Sequence, residues 1–226
     1  MRAERTIQGK KCYIYGSGES EALLIQPIDA HDLELLDQEI AIIQGLTHTP
    51  FRLVAFLIED WNQELSPWKA PAVFGKGDFG SGAADTLSFI TDSLLPELGV
   101  DKKVKCYIGG YSLSGLFALW AGHRTDRFCG VAAVSPSVWF PGWARYMESN
   151  PIHSPEVYLS LGDKEERTRN QIMASVGANI RRQYEVLLNT DEVSRCVLEW
   201  NKGNHFVDSE RRMAKGFAWL LNGSDE

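Results

Sequence analysis

Residues 109–115 read Gly-Gly-Tyr-Ser-Leu-Ser-Gly, with a short apolar run before them and an apolar helical run after. A serine nucleophile asks for this arrangement. A tight strand-to-helix turn lifts the hydroxyl clear of the backbone, and it admits only small residues two before and two after the serine. Gly110 and Ser114 fill those places around Ser112. A serine side chain is a weak nucleophile until a base takes its proton and donors hold the developing oxyanion. Leu113 offers one donor, its backbone N–H, at the start of a helix whose dipole favours negative charge. The common form of the pattern ends in glycine where this chain carries Ser114, which adds a Cβ at a crowded contact.

The base must be one of five histidines, and context separates them. His31 and His123 sit near predicted helix ends, and His48 and His153 lie in polar or proline-flanked stretches. His205 follows the apolar run 197–200 and the turn Asn201-Lys202-Gly203-Asn204, at the mouth of a terminal helix. Reactive groups of an open α/β sheet collect outside the carboxyl ends of its strands, and Ser112 and His205 occupy equivalent edges. The third partner is a carboxylate that orients the imidazole and stabilises its charged form. The run Val157–Leu161, closed by Gly162, is followed by Asp163, Glu165 and Glu166. The order serine, acid, histidine suits this arrangement. Glu165, three residues past Gly162, is the favoured orienter, and Asp163 and Glu166 stay open because an acidic loop also serves as a solvated helix entry.

These residues need elements to position them. Continuous apolar runs at 22–26, 52–58, 104–109, 131–134, 157–161 and 196–200 predict strands buried on both faces, as in a parallel sheet covered by helices. Between them lie helical patterns at 32–44, 82–98, 113–121, 168–188 and 205–221. Strands alternating with helices imply βαβ units. Residues 1–15 predict an opening strand or hairpin. The stretch 59–82, rich in proline, glycine and aromatic residues, is the least regular, and a loop of that length in a compact domain is usually functional.

With 226 residues and 44% hydrophobic content the chain can bury one sizeable core, so one domain over 1–226 is expected. The formal charge of −7, without a Lys/Arg-rich run, argues against nucleic acid or an anionic membrane as partner. No apolar stretch approaches the roughly 20 residues that cross a bilayer, and no apolar signal core follows residues 1–8; a cytoplasmic location is expected. Cys12, Cys106, Cys129 and Cys196 are isolated and read as reduced. Gly75-Lys76-Gly77-Asp78-Phe79-Gly80 lacks the Gly-Lys-Ser/Thr ending of a nucleotide loop. No metal and no cofactor is expected.

The chain resembles the putative-esterase family of α/β-hydrolases, which includes esterase D-type S-formylglutathione hydrolases, feruloyl esterases and enterochelin-type siderophore esterases. The resemblance rests on Gly110-Tyr111-Ser112-Leu113-Ser114-Gly115, Ser135-Pro136-Ser137-Val138-Trp139, Leu161-Gly162-Asp163-Lys164-Glu165 and Gly203-Asn204-His205, in that order over most of the C-terminal two thirds. It implies an α/β-hydrolase fold, compact and without a large lid domain, with a mostly parallel central sheet and helices on both faces. It also implies a nucleophile elbow at Ser112, the acid at Glu165, and Trp139 beside the substrate. A second oxyanion donor would come from the loop Gln26-Pro27-Ile28-Asp29; Pro27 has no N–H, so Ile28 is favoured, with Gln26 or Asp29 behind it.

Seven tryptophans divide by context. Trp120, Trp200 and Trp219 fall on predicted core elements. Trp61, Trp68, Trp139 and Trp143 fall in loops, and Trp61, Trp68, Trp139 and Tyr111 are the residues expected against a small-molecule ester with an apolar or flat portion. Arg167, Arg169, Arg181 and Arg182 alternate with acids and read as a solvated helix face, with Glu165–Arg169 an i,i+4 pair. The expected activity is cleavage of carboxylic esters through an acyl-enzyme by a Ser112–His205–Glu165 catalytic triad. Acyl transfer, thioesterase or peptidase action on the same triad, and a non-catalytic binding scaffold, are the alternatives. A homo-oligomer is compatible with the composition.

Overall fold

The computed structural model describes residues 2–16 and 20–223. Position 1 of the predicted hairpin, and positions 17–19 and 224–226 of the expected 1–226 domain, lie outside the described residues. Strands β1 (Arg2–Ile7) and β2 (Lys10–Tyr15) form the opening hairpin. Gln8 and Gly9, both at positive φ, make its two-residue turn, the conformation that matches the strands' twist. Strand β3 (Ala22–Ile28) leads into helix α1 (Ala30–Leu46), and β4 (Arg52–Leu57) follows. A capping box starts α1: Asp29 accepts from the Asp32 N–H at 2.8 Å, and its own N–H donates to Asp32 at 3.3 Å.

The stretch 59–82 contains one short helix, α2 (Trp61–Glu64). Helix α3 (Ala83–Ser88), a π-helical stretch (Phe89–Leu94) and α4 (Leu95–Glu97) then run end to end, where the sequence predicts one helix over 82–98. Strand β5 (Lys105–Tyr111) runs into α5 (Leu113–Arg124), followed by β6 (Gly130–Val134), α6 (Trp143–Ser149) and β7 (Glu156–Gly162). A single 3-10 turn (Glu165–Arg167) precedes α7 (Gln171–Ala174) and α8 (Val176–Leu188). Strand β8 (Arg195–Asn201) and α9 (Ser209–Asn222) close the described chain.

The sheet order is β1-β2-β4-β3-β5-β6-β7-β8. The hairpin pairs antiparallel with itself and with β4, and every pair from β4 to β8 is parallel. The sheet is therefore mixed but mostly parallel, with helices on both faces. Alternate residues of one strand feed opposite cores: Leu23 and Ile25 belong to the core that also holds Phe117, Leu119 and Ile180, while Ala22 and Leu24 belong to the one that holds Ile40, Phe217 and Leu220. That two-sided burial is why the strand sequences read as unbroken apolar runs. Among the described residues no separate lid domain interrupts the sheet.

Two predicted helices begin later than expected. The pattern at 168–188 opens at Gln171, because Asn170 is the cap: its side chain accepts from the N–H groups of Ile172 and Met173, at 3.1 and 3.3 Å. Thr168 stays extended, so the expected Glu165–Arg169 helical pair does not form. The pattern at 205–221 opens at Ser209, with Asp208 left-handed at φ 52° just before it. His205 consequently belongs to a loop and is not part of the helix. Trp200, expected in the core, is 39% exposed and lies under the Arg181 guanidinium, 4.6 Å from its ring.

Candidate active site

Ser112 stands between β5 and α5 at φ 59° and ψ −120°. A non-glycine residue at positive φ costs on the order of 1–3 kcal/mol and persists only where its surroundings impose it. Here they do. The Ser112 N–H donates to the Val134 carbonyl at 3.1 Å, and the Ser112 carbonyl accepts from Leu116 at 3.1 Å and Ser137 at 3.0 Å. A Cβ built on Gly110 would lie 2.2 Å from the Ser114 hydroxyl oxygen and 2.4 Å from the Ser114 carbonyl carbon, so this position takes only glycine. The departure at Ser114 also has its reason. Its hydroxyl oxygen occupies the space Gly110 leaves empty, and that buried hydroxyl donates to the Pro27 carbonyl at 2.9 Å. Gly115 supplies the close approach one residue later, 2.8 Å from the Gly110 carbonyl were a Cβ present.

The loops after β7 and β8 bring the acid and the imidazole together. Glu165 Oε2 lies 2.7 Å from His205 Nδ1. Its other oxygen accepts from the Ser135 hydroxyl and the Gly162 N–H, both at 2.7 Å, and from Arg212 Nη1 at 3.2 Å. Burial pushes the Glu165 carboxyl up, but the hydrogen bond and charge of His205, with Ser135 and Gly162, outweigh it and hold Glu165 below the usual carboxylate range. An ionised Glu165 can only accept, so the proton of the pair sits on Nδ1 and the lone pair on Nε2. The other two acids have different partners: Asp163 accepts from the Gly203 N–H at 2.8 Å, and Glu166 pairs with Arg181 at 2.9 Å on the surface.

A cavity of about 550 Å³ joins these parts, and Ser112, Glu165 and His205 all line it. The Ser112 hydroxyl is turned to Ser137 Oγ, 3.4 Å away. Catalytic hydrogen bonds of unliganded sites often tighten only when substrate arrives. Trp61, Phe74, Trp139 and Phe206 form the aromatic wall, with Lys164, Arg167 and Thr168 opposite in character. Phe206 is 89% exposed and Phe74 half exposed, so the cavity opens to solvent at its rim.

Several expected residues stand elsewhere. Trp68, expected against substrate, is instead a staple: its Nε1 donates to the Pro141 carbonyl at 2.8 Å and its ring packs on Phe140 and Tyr146. Trp143 is fully buried and donates to Gln183 at 2.9 Å. Tyr111, also expected at the substrate, donates its hydroxyl to the His205 carbonyl at 2.7 Å and so supports the histidine loop. Leu113 opens α5, where the first-turn N–H groups have no intrahelical acceptor. Ile28 ends β3 opposite Leu57, and its carbonyl accepts from Ile58 at 2.9 Å. In a parallel ladder a residue bonded to its neighbour through C=O is bonded through N–H as well, which turns the Ile28 N–H toward β4 and away from the cavity. The N–H of its neighbour Asp29 is engaged as well, donating to Asp32 at 3.3 Å.

Sequence reasoning missed Arg212, which is 2% exposed at the base of the site. The signal was present: Arg212 shares the helical stripe of Met213, Gly216, Phe217 and Leu220, a place for apolar residues. Ser135 and Ser137 were visible only as parts of a motif. Among the described residues no group of three His, Cys, Asp or Glu side chains could hold a metal, and no helix is long and apolar enough to cross a membrane. The four cysteines are free.

No family model and no curated protein matches this chain in sequence. Solved structures do match it in shape. It is similar to the siderophore hydrolase EstA from Aspergillus nidulans, with 18% identity, a TM-score of 0.76, and 99% of this chain and 94% of that one covered. An IroE-like serine hydrolase from Shewanella oneidensis matches at 13% identity and a TM-score of 0.80, over 98% and 80% of the two chains. The chain shares the fold of these hydrolases, the α/β-hydrolase fold. The enterochelin esterase from Shigella flexneri shares it at 17% identity and a TM-score of 0.70, this chain covering 57% of that longer one and matching over 97% of its own length. In this α/β-hydrolase fold the serine turn, the acid loop and the histidine loop leave the sheet at the carboxyl ends of β5, β7 and β8, one rim of parallel strands.

Proposed function

We propose that the protein is a serine hydrolase that cleaves carboxylic esters through an acyl-enzyme. Ser112 Oγ attacks the ester carbonyl while His205 Nε2 takes its proton, and Glu165 holds the imidazole through Nδ1 and stabilises its positive charge. The Leu113 N–H, at the first turn of α5, binds the oxyanion. The tetrahedral adduct collapses, the alcohol leaves with the proton from His205, and Ser112 keeps the acyl group. Water then enters by the same route in reverse, releasing the acid and restoring Ser112.

The observation that carries this reading is the shared cavity. It holds the strained serine and an imidazole whose far nitrogen lies 2.7 Å from a buried, multiply hydrogen-bonded carboxylate. Hydrolysis is favoured over acyl transfer because the His205 side chain is 29% exposed at an open rim, where water reaches the acyl-enzyme freely. The aromatic wall suits a flat or apolar acyl or alcohol portion. The names of two of the structural neighbours, a siderophore hydrolase and an enterochelin esterase, make ester-linked siderophores the first natural compounds to try.

The test is labelling with a fluorophosphonate probe together with turnover of a short p-nitrophenyl ester. Wild type should label and turn over. Ser112→Ala should do neither, with a rate loss of about 10⁴-fold or more, as expected for members of one catalytic unit. A folded wild type that neither labels nor hydrolyses would leave the scaffold reading in its place.

A further inference from the structure

We propose that Arg212 is the positioning residue of this site: its buried guanidinium holds Glu165 and the His205 loop in one frame, and its charge sets how tightly that pair keeps a proton. The kinetic part of this inference rests on the ester-hydrolase reading; the geometric part does not. A guanidinium taken out of water costs several kcal/mol unless its N–H groups find acceptors in good geometry. Arg212 finds five. Nη1 donates to the Tyr111 hydroxyl at 3.2 Å, Ser135 Oγ at 3.4 Å and Glu165 Oε1 at 3.2 Å. Nη2 donates to the carbonyls of Lys202 at 3.2 Å and Asn204 at 3.0 Å.

Those acceptors come from four separate segments, and each segment carries a working part. Tyr111 precedes Ser112, Ser135 lies two residues before Ser137, Glu165 is the acid, and Lys202 and Asn204 flank the turn into His205. One planar cation therefore joins all four segments at a single point, where the other ties, such as Gly203 to Asp163 and Tyr111 to the His205 carbonyl, each join only two. Helix α9 can deliver it because glycines on the sheet and on the helix itself let the two approach closely. A Cβ on Gly109 would lie 2.7 Å from the Phe217 ring, and one on Gly216 would lie 3.0 Å from the Tyr158 ring. Gly162 completes the fit: a Cβ there would lie 2.9 Å from Glu165 Oε1 and 3.1 Å from Arg212 Nη1. Lysine could not substitute, since a single ammonium cannot reach the carboxylate side and the carbonyl side of this fork at once.

The charge matters separately from the fork. Glu165 is the acid in direct contact with Arg212. The other titratable groups around them are Tyr111 from β5, Tyr158 and Glu199 from β7 and β8, Lys215 one turn along α9, and Asp163 and Lys164 flanking the acid. Burial pushes the Tyr111 phenol up to about 12, so it stays neutral. Tyr158 is likewise raised, by burial and then by its bond to Glu199, and Lys215 is paired with that same Glu199. Removing the positive charge beside Glu165 leaves an uncompensated carboxylate facing His205, and every proton-binding group near it gains affinity.

Two variants separate fork from charge. For each, kcat/KM for p-nitrophenyl acetate is followed against pH, and the His205 ring is titrated by NMR, its signal identified by its loss in His205→Asn. Arg212→Met should keep KM within a few-fold, lose about 10²-fold in kcat as the acid and base drift from register, and move both the acid limb and the His205 midpoint up by about one pH unit. Arg212→Lys, which keeps the charge and should fold even if the methionine variant does not, should leave limb and midpoint in place while kcat still falls about 10-fold or more. A wild-type kcat in Arg212→Lys, or an unmoved midpoint in a folded Arg212→Met, would overturn the proposal. If the wild type hydrolyses no ester, the hydrolase reading falls on its own, and the NMR midpoint still decides the role of Arg212.

Discussion

The two halves of the site are built by different physics. The serine half is local: Gly110, Ser112, Ser114 and Gly115 span six residues, and their geometry follows from which of them carry a Cβ. The acid and histidine half is assembled from afar. Glu165 and His205 are 40 residues apart, and their frame is closed by Ser135 from one loop and Arg212 from the last helix. One half stores backbone strain in a rigid turn. The other spends buried charge on holding mobile kinds of chain, namely loops, in register. The first half should fail through sterics and the second through electrostatics.

Beyond loss of the Ser112 hydroxyl itself, the largest effect should come from the second half. Glu165→Gln keeps the shape but loses the charge and the tautomer control, so hydrolysis of a p-nitrophenyl ester should fall about 10³- to 10⁴-fold. Glu166→Gln and Asp163→Asn should stay within a few-fold of wild type, because their partners are Arg181 and the Gly203 N–H. Equal losses in all three would mean that the acid is not singled out by the Arg212 frame. Glu165, held below the usual carboxylate range in the folded state, also stabilises the fold at pH values above the unfolded carboxylate's titration, and that stability is lost as pH falls through the depressed folded value.

The serine half should break by volume. Gly110→Ala forces a methyl to within 2.2 Å of the Ser114 hydroxyl oxygen, and against backbone as well, so both stability and activity should suffer. A melting experiment should read a loss of about 1–3 kcal/mol, with esterase activity reduced further than stability explains. Gly162→Ala tests the other half in the same currency. Its methyl meets the Gly203 carbonyl at 2.5 Å and the Glu165–Arg212 contact, so kcat should drop with a smaller change in melting. If Gly110→Ala were silent in both assays, the strained turn would not be what sets Ser112.

Ser114→Gly is milder. It removes a buried hydrogen bond to Pro27, worth about 1 kcal/mol, and adds glycine to the first turn of α5, while leaving the turn sterically open. Melting should fall slightly and esterase activity should persist. A dead Ser114→Gly variant would give Ser114 a part in the chemistry beyond packing.

The same division explains what could be read from sequence. The strands from β3 to β7 were legible because each is buried on two faces, β8 because its run stays apolar although this edge strand is only half-buried, and so was the order in which they alternate with helices. Ser112 was legible because its requirements fall within six residues. His205 was visible by its place after a strand, yet the start of α9 was misplaced by four residues, since nothing in Asn204–Asp208 marks the left-handed Asp208 that delays the helix. Arg212 was hidden because its acceptors are carbonyls and hydroxyls from distant loops, which leave no trace in local pattern. Trp68 and Trp143 could not be told from Trp61 and Trp139, since a loop tryptophan looks alike whether its ring faces a cleft or a carbonyl.

A second buried carboxylate, far from the cavity, supplies the smallest and sharpest contrast. Glu39 of α1 is 3% exposed and has one neutral partner, Gln26, whose amide donates to it at 3.2 Å. Burial pushes its carboxyl up to about 8, with the Gln26 bond lowering it and the charges of Asp32 and Glu210 raising it. Glu165 has four donors and, chiefly through the hydrogen bond and charge of His205, moves the opposite way. The sign for Glu39 follows directly. Its folded state holds a proton that the unfolded chain releases near the ordinary glutamate value, so its contribution is full below about 4.5, declines as pH rises, and is gone above about 8. Glu39→Gln removes that dependence without changing shape. Its melting temperature should match wild type near pH 4 and exceed it near pH 9, by the equivalent of a few kcal/mol at most, with esterase activity unchanged. A variant less stable than wild type at pH 9 would show that Glu39 is ionised and supported there, and that burial without a cationic partner does not divide the two carboxylates.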